Sequence, residues 1–96
     1  MASASESWDR EYRQGRYRSE PPIPFVDHIL ETLGRRPEVR TGIGLYIGCG
    51  NGRNYIPLCD AGLDLLGLDV SGEALQQLRS VRPDIAHRLI HSDLAD

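Results

Sequence analysis

Three glycines and two aspartates stand where backbone and carboxylates could together bind a small molecule. Gly48, Gly50 and Gly52 occupy alternate positions directly after an apolar run. Because glycine has no Cβ atom, the chain can turn tightly there and a ligand can approach the backbone. Asp69 closes a second apolar run, and Asp93 follows a third. The pattern predicts a ligand-binding loop with a carboxylate at the end of each following strand.

Alternating strands and helices must position these residues. Apolar patterning predicts strands at about Gly42–Gly48, Asp64–Asp69 and Ala86–His91. Helical patterns begin at Pro24 and stop at Gly34, cover about Arg53–Ala61, and run from an N-cap at Ser71 to Pro83. With right-handed crossovers, this order predicts an α/β fold: a Rossmann-like parallel three-stranded sheet, in strand order 3-2-1, with flanking helices.

Residues 1–20 form an N-terminal arm or flap ahead of the α/β part, residues 21–96. The small polar residues of Met1–Ser7 predict disorder. Trp8 and Tyr12 lie four positions apart, so they can share one face of a short helix that Gly15 ends. Three hypotheses remain for this segment: a solvated arm, a flap over a ligand, or a nucleic-acid contact. Interspersed acidic residues weaken the third.

Composition narrows the function classes. The chain has 96 residues, a formal net charge of −3 and arginine as its only cationic residue besides histidine. This acidic balance argues against general nucleic-acid binding. Cys49 and Cys59 fit neither a zinc spacing nor a disulfide framework, and no metal site is predicted. The apolar runs are too short to span a membrane, so we expect a cytoplasmic protein.

The glycine spacing separates two classes of ligand. Dinucleotide-binding loops follow G-x-G-x-x-G, whereas here Arg53 stands three positions after Gly50. A bulky arginine fits poorly against a diphosphate, so a ligand without phosphates is favoured. At the end of strand two, Asp69 could accept hydrogen bonds from both hydroxyls of a ribose; alternatively, it only helps Ser71 to cap the next helix. Asp93 could accept a hydrogen bond from an adenine amino group.

Three motifs in this order resemble a known family. Gly48-Cys49-Gly50-Asn51-Gly52-Arg53-Asn54, Gly67-Leu68-Asp69-Val70-Ser71 and His91-Ser92-Asp93 are similar to motifs of class I S-adenosylmethionine-dependent methyltransferases of the small-molecule type, with a "GCGxGRN" loop. The resemblance covers about residues 8–96.

The resemblance implies a cofactor and a set of roles. The three loop glycines would line the methionine and ribose part of S-adenosylmethionine, Asp69 would hold the ribose hydroxyls, and Asp93 the adenine amino group. Trp8, Tyr12 and Arg16 would belong to a flap that folds over the cofactor. Residues 21–96 would then be a partial cofactor-binding domain. No catalytic residue is implied.

The sequence departs from this family in two respects. Tyr46 stands two positions before the first loop glycine, where the family often carries an acid that helps to place the amino group of the cofactor. The family's sheet has seven strands, and this chain carries the pattern of the first three. It therefore resembles the N-terminal half of the domain, and we expect the isolated chain to be inactive towards its small-molecule acceptor.

Two further hypotheses remain open. The chain could be a non-catalytic, oligomerising remnant that binds no cofactor, which Tyr46 favours, or an NAD-binding half-domain, which Arg53 disfavours. Strand one is central in the family's sheet but would lie at an edge here. Since unpaired strand edges invite pairing, we expect a homodimer or higher assembly with strand one at the contact.

Overall fold

The computed structural model describes residues 3–36 and 41–92. Within these ranges the chain forms four α-helices, three strands and one 3₁₀ helix. In chain order they are α1 (Ala4–Arg13), α2 (Pro24–Arg35), β1 (Gly44–Ile47), α3 (Tyr55–Asp60), β2 (Leu65–Asp69), α4 (Gly72–Val81), the 3₁₀ helix (Pro83–Arg88) and β3 (Leu89–His91).

The three strands form one sheet in which all neighbours are parallel. The strand order is β1-β2-β3, with Gly44 opposite Leu65 and Asp69 opposite His91. The predicted α/β class, with a parallel three-stranded sheet and flanking helices, is confirmed. Because the strands are parallel, their carboxyl ends meet at one edge of the sheet. The glycine loop and Asp69 lie at that edge.

The hydrophobic core lies on one face of the sheet. Side chains alternate along a strand, and Tyr46, Leu65 and Leu89 point to the face that α3 and α4 cover. They pack against a buried cluster from the loop and the helices: Cys49, Tyr55, Leu75, Leu78 and Ile85. Tyr55 anchors this side through its hydroxyl, which donates to the Leu65 carbonyl oxygen at 2.7 Å.

The opposite face, which we call the open face, carries Leu45, Ile47, Leu66, Leu68 and Ile90. Leu45 is 51% exposed and Ile47 is 58% exposed. Parallel sheets are normally covered on both faces. The described residues therefore leave apolar surface bare on this side, and it is greatest along β1.

The beginning of the chain differs from the sequence-based prediction. Disorder was expected over residues 1–7, but α1 begins at Ala4, and the Ser3 hydroxyl oxygen accepts a hydrogen bond from the Glu6 amide at 3.1 Å. Ser3 and Glu6 have the spacing of a capping box, S-x-x-E, which is a signal for a helix N-terminus. As predicted, α1 stops before Gly15, whose φ is +94°.

Other boundaries also differ: β1 and α3 are each shorter than predicted, at Gly44–Ile47 and Tyr55–Asp60. The predicted third strand began at Ala86, but residues up to Arg88 belong to the 3₁₀ helix, and β3 is limited to Leu89–His91. Proline can start a helical turn because its missing N–H needs no partner, and Ile85 is buried in the core, so packing favours a turn there. Helix α2 also continues one residue past Gly34.

Candidate functional site

The glycine loop follows β1 and turns back over the carboxyl end of β2. The Gly48 and Cys49 amides both donate to the Leu68 carbonyl oxygen, at 2.7 and 3.1 Å. Gly48, Gly50 and Gly52 have φ values of +77°, +56° and +98°. Non-glycine residues adopt such values only at a cost, so the predicted need for glycine in this turn is confirmed at all three positions.

The Asp69 carboxylate, at the end of β2, holds the glycine loop in place through a hydrogen bond. The residue is 7% exposed. Oδ2 accepts from the Gly50 amide at 2.8 Å, and Oδ1 accepts from the Ser71 amide at 2.9 Å. A carboxylate has about four lone-pair sites, so these two bonds leave acceptor capacity on both oxygens. Asp69 thus joins the loop to the start of α4 and can still accept hydrogen bonds from a ligand.

A cavity of about 380 Å³ opens beside the loop at the carboxyl edge of the sheet. This volume lies in the usual range for small-molecule sites. We call it the loop cavity; its walls include Trp8, Tyr12, Tyr17, Gly48, Asp69 and Ser92. A smaller adjoining cavity of about 270 Å³ shares Tyr12, Tyr17 and Gly48 with it.

Aromatic side chains from the N-terminal segment line one side of the loop cavity. The Trp8 and Tyr12 ring centroids are 5.9 Å apart, and those of Tyr12 and Tyr17 are 6.2 Å apart. Tyr12 is 5% exposed and its hydroxyl lies against Gly50, where a Cβ atom would collide with it. Burial raises the pKa of Tyr12 to about 12, with a further contribution from the nearby Asp69 carboxylate. The hydroxyl is therefore neutral at physiological pH.

Two guanidinium groups flank this aromatic cluster. Arg16 lies 5.7 Å from the Trp8 ring centroid and 5.0 Å from that of Tyr17. Arg53 lies 4.8 Å from the Tyr17 centroid and forms an ion pair with Glu20 at 2.7 Å. Tyr17 has a left-handed backbone conformation, with φ +62°. The two guanidinium groups place positive charge near the cavity that Tyr17 lines.

Side chains of the α/β part tie down the segment that follows α1. Asn51 Nδ2 donates to the Arg16 carbonyl oxygen at 3.0 Å, and Asn54 Oδ1 accepts from the Ile23 amide at 2.9 Å. Two of the polar residues in the predicted loop motif therefore bind the chain itself. The segment is therefore packed across the loop.

The structure brings together some of the predicted site residues but not all. Gly48, Asp69 and Tyr12 line the same cavity. Gly50 is covered by the Tyr12 hydroxyl, and Gly52 faces the core, where an added Cβ would lie 2.7 Å from Ile56 and Leu78 side-chain carbons. Asp93 lies outside the described residues.

Sequence reasoning missed Tyr17 as a wall of the loop cavity. It also missed Asp9 and Gln77, which join α1 to α4 beside the cavity. Gln77 Nε2 donates to the Tyr12 carbonyl oxygen at 2.8 Å. The Asp9 carboxylate binds the start of α4 through the Ser71 hydroxyl at 2.6 Å and the Glu73 amide at 3.0 Å. No local signal identifies such partners, because the contacts join α1 to α4 across most of the chain.

Neither a protein-family model nor a curated protein sequence matches this chain. Among residues 3–36 and 41–92, no helix combines the length and apolar character needed to cross a bilayer. The same ranges contain no group of three or more histidine, cysteine, aspartate or glutamate residues that could hold a metal ion.

Proposed function

We propose that this chain is the cofactor-binding part of a class I S-adenosylmethionine-dependent methyltransferase with a small-molecule acceptor. The observation that carries the proposal is the position of Asp69, a buried carboxylate at the end of β2 that lines the loop cavity beside Gly48. In open α/β sheets, ligands bind at the carboxyl ends of the strands, and an acid after the second strand binds ribose hydroxyls.

The residues around the cavity fit a nucleoside that carries an amino-acid tail. Asp69 retains lone pairs for two hydroxyl donors. Nothing lies within 4 Å of the place that a Cβ of Gly48 would occupy, so a ligand can approach the backbone there. Trp8 and Tyr12 offer aromatic surface for packing. The Arg16 guanidinium is paired with Glu11 at 3.4 Å and could exchange this partner for a ligand carboxylate.

Methyl transfer would require little acid–base chemistry from the residues around the cavity. When bound, S-adenosylmethionine supplies a methyl group on a positively charged sulfur, which is already a strong electrophile. Asp69 and the loop would hold the cofactor in one orientation, while Trp8, Tyr12 and Tyr17 would shield it from water. Positioning of this kind can supply much of a rate enhancement. No described residue is assigned to hold the acceptor, so we expect the isolated chain to be inactive.

The two competing hypotheses receive different support. Arg53 occupies the place of the third glycine of a dinucleotide loop, and its guanidinium is engaged by Tyr17 and Glu20, which disfavours a diphosphate ligand. For the non-catalytic remnant, the supporting observation is Tyr46, whose ring packs edge-on against Tyr55 at 5.7 Å. In this position, it provides no carboxylate to place a cofactor amino group.

Replacing Asp69 tests the proposed site directly. In calorimetric titrations with S-adenosylhomocysteine, Asp69→Asn should weaken binding at least about tenfold, since hydrogen bonds to a charged group contribute about 1.5–3 kcal/mol. Asp64→Asn is the matched control, because Asp64 pairs with Arg88 outside the loop cavity. Circular dichroism should confirm that both variants fold. Equal affinity of the folded Asp69→Asn variant and the wild type would reject the assignment.

A further inference from the structure

The adjoining cavity beside the glycine loop has one charged side chain in its described wall, that of Arg53. None of the described residues that line it is an aspartate or a glutamate. Burial raises the pKa of Tyr12 to about 12 and also raises the pKa of Tyr46, so both hydroxyls in this wall are neutral at physiological pH. The described wall therefore carries a positive charge and no negative one.

Arg53 has an unused hydrogen-bond donor. Its side chain is 19% exposed, and Nη1 donates to Glu20 Oε2 at 2.7 Å. Among the described residues, Arg53 Nε is buried without a hydrogen-bond partner. A buried donor that is left unpaired is costly, and a guanidinium can bind a carboxylate through two adjacent N–H groups. A carboxylate oxygen at Nε would remove this cost.

A ligand can reach from Asp69 to Arg53 by passing over Gly48. Asp69 lines the loop cavity, Arg53 lines the adjoining cavity, and Gly48 borders both. Nothing lies within 4 Å of the Cβ position of Gly48, so its backbone leaves the passage open. The charge of Arg53 also counteracts the rise in the pKa of Tyr46, so the guanidinium lies close enough to act on a group in the same wall.

We propose that Arg53 binds the carboxylate of the ligand's tail and that the adjoining cavity offers no comparable contact to an ammonium group. The class of ligand is then a nucleoside with an acidic tail, whose amino group is dispensable for binding. This inference rests on the proposed function, because it takes the nucleoside part to lie at Asp69. It also accounts for Tyr46, since no carboxylate is needed at that position when the tail is held by its acid group.

Two other arrangements are less well supported. Arg16 is paired with Glu11, its side chain is 46% exposed, and it lines neither cavity. A diphosphate would bring a second negative charge next to Glu20, which already binds the Arg53 guanidinium, and like charges at such short distances repel. A single carboxylate is therefore the group that suits Arg53.

Calorimetric titration of the wild-type chain with three compounds tests the proposal: S-adenosylhomocysteine, its analogue without the amino group, and its analogue without the carboxylate. We expect the analogue without the amino group to bind at least as tightly as S-adenosylhomocysteine. The analogue without the carboxylate should bind at least about tenfold more weakly, because it loses a charge-assisted hydrogen bond. Equal affinity of S-adenosylhomocysteine and this second analogue, or weaker binding of the first, would overturn the proposal.

Arg53→Gln tests the residue itself. The variant should bind S-adenosylhomocysteine at least about tenfold more weakly than the wild type and should no longer discriminate against the analogue without the carboxylate. Arg35→Gln is the matched control, because Arg35 also pairs with a glutamate, Glu31, but lies at the end of α2 and lines neither cavity. Its affinities should equal those of the wild type. Discrimination that persists in Arg53→Gln but is lost in Arg16→Gln would overturn the assignment.

The same titrations separate failure of this proposal from failure of the proposed function. If none of the three compounds binds the folded wild type, the proposed function is rejected and the role of Arg53 falls with it. If all three bind with the same affinity, the nucleoside is bound and only the role of Arg53 is rejected. Circular dichroism should confirm that the variants fold; if Arg53→Gln does not, the three titrations of the wild type decide.

Discussion

At the scale of single residues, Asp69 has two duties. Its place at the end of a strand could be predicted because an acid closes the apolar run Leu65–Leu68. Its bonds to the Gly50 and Ser71 amides could not be predicted, because they depend on how the loop folds back over β2. The choice posed by the sequence, between ribose binding and helix capping, is thus not exclusive: the carboxylate supports the start of α4 and still faces the cavity.

Because Asp69 accepts hydrogen bonds from two buried amides, we expect its substitution to destabilise the fold. Asp69→Ala would leave two buried amides without partners, and each such group costs about 1–3 kcal/mol. We expect the free energy of unfolding, measured with urea, to fall by about 2 kcal/mol or more. Asp64→Ala breaks only a partly exposed ion pair with Arg88 and should cost less than about 1 kcal/mol. Equal losses in the two variants would contradict the bracing role.

Because the Cys49 thiol is buried, we expect the stability of the fold to depend on pH in the alkaline range. Burial raises the pKa of its thiol from 9.0 to about 12. Below pH 9 the thiol is protonated in both states and its contribution is complete; between pH 9 and about 12 the unfolded thiol ionises while the folded thiol does not. The free energy of unfolding should therefore fall as pH rises through this window, by at most about 1.4 kcal/mol per pH unit from this group.

Comparison with Cys49→Ala isolates this contribution from the other groups that titrate at alkaline pH. Urea unfolding at several pH values should give a shallower decline for the variant than for the wild type. Parallel declines would show that Cys49 ionises equally in both states, and would contradict its burial.

At the scale of elements, two glycines with nearly the same φ differ in how closely their surroundings pack against them. Gly52 has φ +98° and would place a Cβ 2.7 Å from Ile56 and Leu78 carbons, whereas Gly62 has φ +97° and nothing within 4 Å of its Cβ position. The motif correctly marked Gly52 as a special position. Its reason lies in the packing of α3 and α4 and not in contact with the loop cavity.

Alanine substitutions at Gly62 and Gly52 distinguish the cost of backbone strain from the cost of overpacking the core. Gly62→Ala should cost about 1–2 kcal/mol for the left-handed conformation alone. Gly52→Ala carries the same strain and also overpacks the core, which typically adds about 1–3 kcal/mol. Thermal or urea unfolding of the two variants measures the difference. Equal destabilisation would mean that Ile56 and Leu78 move aside without cost.

The elements show where sequence reasoning succeeds and where it fails. Helix α4 was predicted because Ser71 is a strong N-cap and Ala74, Leu75 and Leu78 lie on one face; all three are buried. The 3₁₀ helix was missed because a short run around Ile85 has no clear period. Docking of α1 could not be predicted, because its main polar anchor, Asp9, finds its partners on α4.

At the scale of the whole molecule, the unusual feature is the sheet. The described strands leave the outer edge of β1 without a strand partner, and Leu45 and Ile47 on the open face are more than half exposed. Exposed apolar edges of this kind favour association. We propose that β1 lies at a contact between two copies of this chain, as its position at the sheet edge led us to expect from the sequence.

Self-association should therefore be sensitive to charge on β1. Light scattering over a range of concentrations should show dimers or larger assemblies of the wild type, and Leu45→Lys should shift them towards monomer. Val81→Lys is the control, because Val81 is 66% exposed but lies on α4. A wild type that stays monomeric throughout, or equal effects of the two variants, would contradict the proposed contact.

The central claim is that the loop cavity binds the S-adenosyl group. Calorimetric titration of the wild-type chain with S-adenosylmethionine, S-adenosylhomocysteine and NAD tests it most directly. We expect saturable binding of both S-adenosyl compounds at one site per chain and no binding of NAD, because Asp69 can hold a ribose while Arg53 stands in the place of the third dinucleotide glycine. Binding of NAD alone would favour the dinucleotide hypothesis. Binding of none of the three would contradict the account and favour a remnant without a cofactor.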